Sequence, residues 1–269
     1  MKNDAWDKVL LARHPKRITA STLIQLLLTD FIEMKGDRLF GNDHAMIGGI
    51  GYLDDTVVTV IAEEKGRTTE EKIKHNFGMP HPEGYRKALR LMKQAEKFNR
   101  PIITIIDTPG AYPGIEAENR GQARAIAKNL YEMAALKVPI IIIILSEGGS
   151  GGALAIGVGD YMIMYENAIY SILSPEGFAS ILYKDSKKAK EASKHMKITA
   201  SDLKSLNIID EIIKEKVGLH VDENDGLLQL KQSLNRQIKY FMHLDKETLI
   251  ARRYEKYWKI GSYDSRRKL

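Results

Sequence analysis

The 269-residue sequence contains no cysteine. This absence excludes structural disulfides, zinc sites built on thiolates and cysteine nucleophiles in this chain. Long apolar runs are also missing, since the longest, Val138 to Leu145, is far shorter than the roughly 20 residues of a membrane-spanning helix. The N-terminal residues have no apolar core like that of a signal peptide, and no His, Asp and Glu group has the spacing of metal ligands. We therefore expect a soluble, cytoplasmic protein that holds no metal and contacts no membrane.

Aromatic residues are scarce, at 7% of the chain, whereas 28% of the residues are charged and the formal net charge is +6. A positive protein attracts anionic partners, such as phosphorylated cofactors or acidic proteins. Most of the basic residues are expected to form a solvated surface. Nucleic acid is a weaker possibility as partner, because the few aromatic residues do not alternate with the basic ones.

The sequence does contain a strand, a glycine cluster and a helix in direct succession. Val138 to Leu145 is an unbroken apolar run, which predicts a strand buried on both faces of a parallel sheet. Four glycines then surround Ser150, and the small residues from Ala153 to Ile156 open a predicted helix. Glycine permits a tight turn and the close approach of another molecule, and the first N–H groups of a helix can hold an oxyanion. The alternative is a close helix–sheet contact that needs glycine only for space.

A second turn of this kind follows another apolar run, Ile102 to Ile106. The segment from Asp107 to Gly114 contains two Pro-Gly pairs directly after that strand. Ligands bind beyond the carboxyl ends of the strands in open α/β sheets. Strands and helices alternate along the chain, which predicts an α/β fold with right-handed crossovers.

Hydrophobic periodicity predicts the elements around these two turns. The predicted helices are Ala5–Arg13, Ser21–Lys35, Glu83–Phe98, Glu116–Leu136, Pro175–Tyr183, Lys187–Lys197, Thr199–Leu206, Leu227–Phe241 and Glu247–Trp258. The further predicted strands are Ala45–Tyr52, Val57–Ala62, Tyr161–Tyr165, Ala168–Ile172 and Ile208–Ile213, and the charged stretch Lys65–Glu71 is predicted to be a turn.

Ser150 and its glycines match the G-x-S-x-G pattern of serine hydrolases. A catalytic triad would also need a histidine, and the candidates are His195, His220 and His243, none of which lies in a glycine-rich loop. A phosphate-binding loop is not supported, because no Lys-Ser or Lys-Thr follows the glycines and the spacing is not G-x-G-x-x-G.

Two acids near the second Pro-Gly pair permit another chemistry. Glu116 and Glu118 could act as acid and base in a hydratase or isomerase of acyl-CoA, or they stabilise a helix N-terminus as acids of its first turn. A module that binds CoA for regulation, without turnover, is a third alternative.

Several motifs together resemble a known family. They are Gly36-Asp37-Arg38, Lys72-Ile73, Asn76–Pro80, Pro82–Ala88, Ile106–Gly114, Glu147–Gly159 and Ser174–Gly177. With them, the chain resembles the carboxyltransferase α subunit of bacterial acetyl-CoA carboxylase from about Leu11 to the C-terminal helices. Family members often carry a longer N-terminal helical extension.

The resemblance implies a crotonase-like (ClpP/crotonase) ββα spiral with flanking N- and C-terminal helices. The implied division is an N-terminal helical segment at 1–35, the carboxyltransferase domain at 36–245, and a C-terminal helix with a basic tail at 246–269. It also implies transfer of a carboxyl group from carboxybiotin to acetyl-CoA. The product is malonyl-CoA, and the reaction is the first committed step of fatty-acid synthesis.

The same resemblance implies partners. The first is a β subunit of related fold that carries a zinc ribbon and joins this chain in an α2β2 heterotetramer. The others are the biotin carboxyl carrier protein and, in the wider ATP-dependent complex, biotin carboxylase. The α subunit is expected to hold biotin, and the β subunit is expected to hold acetyl-CoA.

The resemblance also assigns roles to the two glycine turns. Loss of CO2 from carboxybiotin leaves negative charge on the ureido oxygen, and the freed biotin nitrogen takes a methyl proton from acetyl-CoA, so no side-chain base is needed. The N–H groups of Gly151 and Gly152 are the expected oxyanion hole. The expected wall of the biotin pocket consists of Gly110, Ala111, Tyr112, Pro113, Gly114 and Ala153.

Overall fold

A computed structural model describes residues 4–261, and within them eight strands form one sheet. The strands are β1 (Thr29–Glu33), β2 (Met46–Leu53), β3 (Thr56–Glu63), β4 (Ile102–Thr108), β5 (Ile140–Gly149), β6 (Tyr161–Tyr165), β7 (Ile169–Ser171) and β8 (Glu211–Ile213). Their order is β1-β2-β3-β4-β5-β6-β8, and β7 pairs with the end of β5. The pairs β1–β2 and β2–β3 are antiparallel and the other pairs are parallel. The predicted α/β class is confirmed.

Helices lie before, between and after the strands, and several of them pack on the sheet. They are α1 (Ala5–Ala12), α2 (Ala20–Leu27), α3 (Thr69–Lys74), α4 (Pro82–Lys97), α5 (Ile115–Asn119), α6 (Gln122–Ala135), α7 (Ser150–Leu154), α8 (Pro175–Tyr183), α9 (Ala189–Ser193), α10 (Ala200–Ser205), α11 (Leu227–Met242) and α12 (Lys246–Trp258). In the described part of the chain, none of these helices has the length and apolarity needed to cross a bilayer.

The two apolar runs form the centre of the sheet. Every residue of β4 and β5 is buried, and Ile102 to Ile106 of β4 lie beside Ile140 to Ile144 of β5. Side chains on both faces of these strands are covered, which explains why neither strand alternates with polar residues. β5 continues past Leu145 to Gly149, so the glycine cluster begins inside the sheet and places its backbone beside the end of β4.

The predicted helix Ser21–Lys35 is wrong in its second half. The helix ends at Leu27, and the following residues form β1, which pairs with β2. Gly49 of β2 makes room for this pairing, since a Cβ there would lie 2.3 Å from the Ile32 carbonyl oxygen and 2.6 Å from the Phe31 ring. A contact with a distant strand therefore overrides the local helical pattern.

Three further predictions of local structure need correction. Glu116–Leu136 is two helices, α5 and α6, because Gly121 adopts a φ of +83° between them. The basic stretch Lys187–Lys197 is helical only over α9, after a short 3-10 turn. The stretch Lys65–Glu71, predicted as a turn, includes the start of α3, whose first turn is closed by a capping box.

Contacts cross both predicted segment boundaries. β1 pairs with β2 on the two sides of residue 35. Arg253 of α12 lies 2.7 Å from Asp160, with both side chains only 1% exposed, and it also donates to the carbonyl oxygens of Met133, Leu136 and Val138. The three-part division stays a prediction, and the end of the basic tail lies outside the described residues.

Candidate functional site

Two loops meet at the carboxyl ends of β4 and β5. The first loop spans residues 109–114, and the second is the glycine cluster that ends β5 and opens α7. A Cβ on Gly149 would lie 2.1 Å from the Pro109 carbonyl oxygen, and a Cβ on Gly152 would lie 2.5 Å from the Ala111 nitrogen. No side chain fits at these distances, so both positions need glycine for the two backbones to touch. The structure thus brings together the two loops that the sequence singles out.

The four glycines of the cluster do not share one reason for being glycine. A Cβ on Gly148 would meet the Tyr170 ring at 2.5 Å, and the first loop occupies the space at Gly149 and Gly152. At Gly151, by contrast, the nearest atom is in the Ile126 side chain at 3.9 Å, an ordinary contact distance. Gly151 also has no positive φ. Neither packing nor backbone conformation in this chain explains Gly151, which points to the close approach of another molecule.

Gly151 and Gly152 lie in the first turn of α7, which begins at Ser150 and not at the predicted Ala153. Ser150 has a φ of +53° and turns the chain out of β5 into this helix. The helix has only five residues. Its dipole is therefore small, and an anion here would be held by individual N–H groups.

Hydrogen bonds hold the first loop at both ends. Thr108 Oγ1 accepts the Gly110 N–H at 3.0 Å and donates to the Gly110 carbonyl oxygen at 2.8 Å. The Tyr112 N–H donates to the Pro80 carbonyl oxygen at 3.0 Å. Gln122 of α6 donates to the carbonyl oxygens of Pro80 and Tyr112 at 2.9 Å each. The loop is therefore fixed in place before any ligand arrives.

A cluster of charged side chains, which we call the strand-end cluster, lies at the ends of β4 and β5. Lys65 Nζ is 2.8 Å from the Asp107 carboxylate and 3.2 Å from that of Glu147. Arg13 reaches both Glu147 and Glu176, the latter in the first turn of α8, at 2.8 Å. Burial raises the pKa of Glu147, but the charges of Lys65 and Arg13 outweigh it and lower this pKa below its usual value. The cluster links five chain segments around the two loops.

Sequence reasoning missed the strand-end cluster, although one signal was present. Asp107 and Glu147 are acids at the ends of otherwise apolar strands, and a buried carboxylate needs a partner. The two cations come from remote parts of the sequence, so their positions could not be read from spacing.

An apolar pocket of about 560 Å³ opens beside Gly151. Among its lining residues are Ser150, Leu154, Tyr170, Ile172, Phe178, Met196 and Leu206. No Asp or Glu of the described chain lines it. Such a surface suits a largely apolar ligand, and no carboxylate of the lining would repel a negative charge that develops on it.

The predicted site residues differ in their exposure and in what they contact. Gly151 lines the apolar pocket. Gly110, Ala111, Tyr112 and Gly114 are partly buried near the loop junction, where the Tyr112 ring stacks on His81 with 4.0 Å between centroids, and Pro113 is exposed. Ala153 is fully buried, so its methyl group belongs to the core. The assigned roles of these residues stay predictions.

The hydrolase alternative is not favoured. His195 lines the same pocket as Ser150, but no acid of the described chain lines that pocket to orient the imidazole. His220 instead packs against His14 with 4.7 Å between centroids and the rings tilted by 53°, and His243 Nδ1 contacts the Lys239 carbonyl oxygen at 2.5 Å.

The acids of the hydratase alternative lie on the surface. Glu116 and Glu118 are exposed in the first turn of α5, which agrees with a role in stabilising the helix N-terminus. Among residues 4–261, no group of three or more His, Asp or Glu side chains is arranged to hold a metal ion.

The chain is similar to a family of carboxyltransferase subunits. Residues 2–261 match the family model described as acetyl co-enzyme A carboxylase carboxyltransferase-like. The acetyl-coenzyme A carboxylase carboxyl transferase subunit alpha of Geobacillus sp. (strain WCH70) is 56% identical over 259 residues, which cover 96% of this chain and 80% of that protein. The subunit of the same name from Bacillus cereus (strain G9842) is 57% identical over 257 residues, covering 95% and 79%.

Solved structures share the fold at low sequence identity. Transcarboxylase 12S with methylmalonyl-coenzyme A and methylmalonic acid bound aligns with a TM-score of 0.67 and 19% identity, covering 85% of this chain and 43% of that one. The Pseudomonas malonate decarboxylase MdcD–MdcE hetero-dimer aligns with a TM-score of 0.68 and 14% identity, covering 89% and 95%. The predicted crotonase-like fold is confirmed. Because the family model spans almost the whole described chain and these relatives are 56–57% identical, the chain belongs to the family of acetyl-coenzyme A carboxylase carboxyltransferase α subunits.

Proposed function

We propose that the chain, together with a β subunit, transfers a carboxyl group from carboxybiotin to acetyl-CoA and so forms malonyl-CoA. Family membership supports this reaction, since the relatives carry the name of this enzyme's α subunit. The observation that carries the position of the site is Gly151, where a Cβ would fit without a clash and which lines an apolar pocket.

Carboxybiotin, when bound, supplies the carboxyl group and a ureido oxygen on which negative charge develops. The N–H groups of Gly151 and Gly152 would stabilise that oxygen. Gly152 is held by contact with the first loop, where a Cβ would lie 2.5 Å from both the Gly110 carbonyl carbon and the Ala111 nitrogen. Donors that are fixed in advance lower the barrier because they need no reorganisation, and one such donor typically contributes about 100- to 1,000-fold in kcat.

The pocket residues fit a reaction that uses no side-chain base. The described lining residues include no carboxylate, and its one histidine, His195, has no acidic partner there. We infer that the methyl proton passes from acetyl-CoA directly to the freed biotin nitrogen, while this chain binds and stabilises the anion.

A partner subunit would complete the site. The α-subunit name of the relatives implies one, and the malonate decarboxylase neighbour is a hetero-dimer. Apolar side chains beside the pocket remain exposed, with 79% for Ile172 and 52% for Leu206, as at surfaces that proteins use for association. This proposal also includes an acetyl-CoA site on the β subunit, the zinc ribbon of that subunit and the α2β2 assembly. It further includes the carrier protein, biotin carboxylase and the cytoplasmic location.

The test is malonyl-CoA-dependent carboxylation of free biotin. It is measured with the chain alone, with the β subunit alone and with both together. We expect turnover only when both are present. Robust turnover by the chain alone would reject a split site, and hydration of an enoyl-CoA by the chain alone would favour the hydratase alternative.

A further inference from the structure

A second concave surface lies between α4 and α6, behind the first loop. It has a volume of about 620 Å³. We call it the basic groove, because six cations line it: Arg86, Arg90, Lys93, Arg120, Arg124 and Lys128. The reaction proposed above gives these side chains no role.

Three of the six cations already have acidic partners. Arg86 lies 2.7 Å from Asp37, Arg120 lies 3.0 Å from Glu83, and Lys93 lies 2.6 Å from Glu132. Asp37 is the one acid among the described lining residues. Its oxygens accept hydrogen bonds from backbone N–H groups of the following loop and from Arg86. Burial raises the pKa of Asp37, but these donors outweigh burial and lower the pKa to about 2. Asp37 is therefore ionised, and its single negative charge faces the six cations of the groove.

The other three cations form no ion pair within residues 4–261. Arg90 donates only to carbonyl oxygens, those of Gly36 at 3.1 Å and Lys35 at 3.4 Å. Arg124 and Lys128 are exposed one turn apart on α6, where like charges repel each other. The positive charges of Arg90, Arg124 and Lys128 thus face one groove whose single lining carboxylate, Asp37, already pairs with Arg86, and a bound anion would relieve their repulsion.

The surroundings of these cations indicate the kind of anion. Guanidinium groups match phosphate oxygens in geometry and hold them with paired hydrogen bonds. Leu39 and Leu89 add apolar surface to the groove, and Leu39 is 78% exposed. The volume lies in the range of about 300–1,000 Å³ that is usual for small-molecule sites. We propose that the basic groove binds a nucleotide through two or more of its phosphate groups.

The nucleotide could be free or could be the phosphorylated end of coenzyme A, because both offer the same phosphate chemistry. An RNA strand fits the groove less well, since a volume of about 620 Å³ matches one small molecule and not a longer polymer. The proposal does not depend on the carboxyltransferase reaction, because binding can be measured without turnover.

The test is calorimetric titration of the full chain at low salt with ADP, coenzyme A and pyrophosphate. We expect ADP to bind and the double variant R124Q/K128Q to bind it at least about tenfold more weakly, since charge-assisted hydrogen bonds to two side chains are lost. The control K187Q/K190Q removes the same charge from an exposed basic surface near α9 and should bind ADP like the native chain. Thermal unfolding of both variants checks that the fold is retained.

The three ligands separate the sources. Equal binding of ADP and coenzyme A, lost in R124Q/K128Q only, supports the groove as a nucleotide site that accepts the coenzyme. Binding of ADP alone supports a free nucleotide. The proposal is overturned if ADP does not bind, if both variants weaken binding equally, if pyrophosphate binds as well as ADP, or if RNA oligomers bind with an affinity that rises with their length.

Discussion

Gly151 and Gly152 are adjacent, but their surroundings predict different effects of substitution. We expect Gly151→Val to reduce turnover of the assembled enzyme by about 100-fold or more, because the side chain fills the space left for the ligand. Its melting temperature should change little, since the nearest atom is 3.9 Å from the new Cβ. Turnover at saturating substrate and thermal unfolding are measured together, and normal turnover would argue against a ligand at Gly151.

Gly152→Val is the matched comparison. Its Cβ would push on the backbone of the first loop at 2.5 Å, so we expect a loss of about 1–3 kcal/mol in the free energy of unfolding as well as lost turnover. Equal stability of the two variants would contradict the packing role of Gly152.

Ser150 is predicted to be a turn residue and not a nucleophile. Ser150→Ala should retain most of the carboxyltransferase activity, because no acid–histidine pair activates the hydroxyl. Ser150→Gly should be at least as stable as the native chain, since glycine adopts a φ of +53° without strain. A loss of about 1,000-fold in kcat for the alanine variant, with the fold intact, would revive the hydrolase alternative.

Between elements, the strand-end cluster joins the parts of the chain that carry the site. Lys65→Met would leave the carboxylates of Asp107 and Glu147 buried without the cation between them. Removal of one partner from a buried charge group typically costs about 3–5 kcal/mol, and we expect a loss near the lower end because Lys65 is 20% exposed.

Urea unfolding of the single chain measures this loss. Lys65→Arg, which keeps the charge, is the control and should lose less. If Lys65→Met unfolds at the same urea concentration as the native chain, the cluster does not stabilise the fold.

Another buried pair connects the segment after α1 with the chain beyond β8. Nη1 and Nη2 of Arg17 each donate to a carboxylate oxygen of Glu215 at 2.8 Å. Burial raises the pKa of Glu215, but Arg17 and backbone N–H groups outweigh it and lower the pKa from 4.5 to about 2. The folded pKa is below the unfolded one, so the pair stabilises the fold above about pH 4.5 and this contribution is lost as the pH falls toward 2.

We therefore expect the free energy of unfolding to fall over that pH range, with a smaller slope in Glu215→Gln. Urea unfolding at a series of pH values measures both slopes. The same slope in the native chain and the variant would contradict the assignment to Glu215.

For the whole molecule, the sequence predicts the elements that local patterns define. Unbroken apolar runs predict β4 and β5 because a strand buried on both faces cannot alternate with polar residues. The glycine and proline pairs predict the two loops at their ends. β1 could not be predicted in this way, since its strand form depends on space at Gly49 in another strand.

The sequence likewise predicts some parts of the candidate site and not others. The glycine cluster is visible as a motif, but only the structure separates Gly151 from the three glycines that packing explains. The apolar pocket, the strand-end cluster and the basic groove each combine residues from several segments, and their members are too far apart in sequence for spacing to reveal them.

The contact between the first loop and the glycine cluster has one more consequence. At Gly149 and Gly152, bare backbone meets bare backbone, so neither loop can gain a side chain, lengthen or shift at the junction unless the other changes with it. The two loops therefore form one structural unit. A designer who moves the proposed anion site to another parallel sheet would have to graft both loops onto neighbouring strands, in the same register, because either loop alone lacks the surface that shapes it.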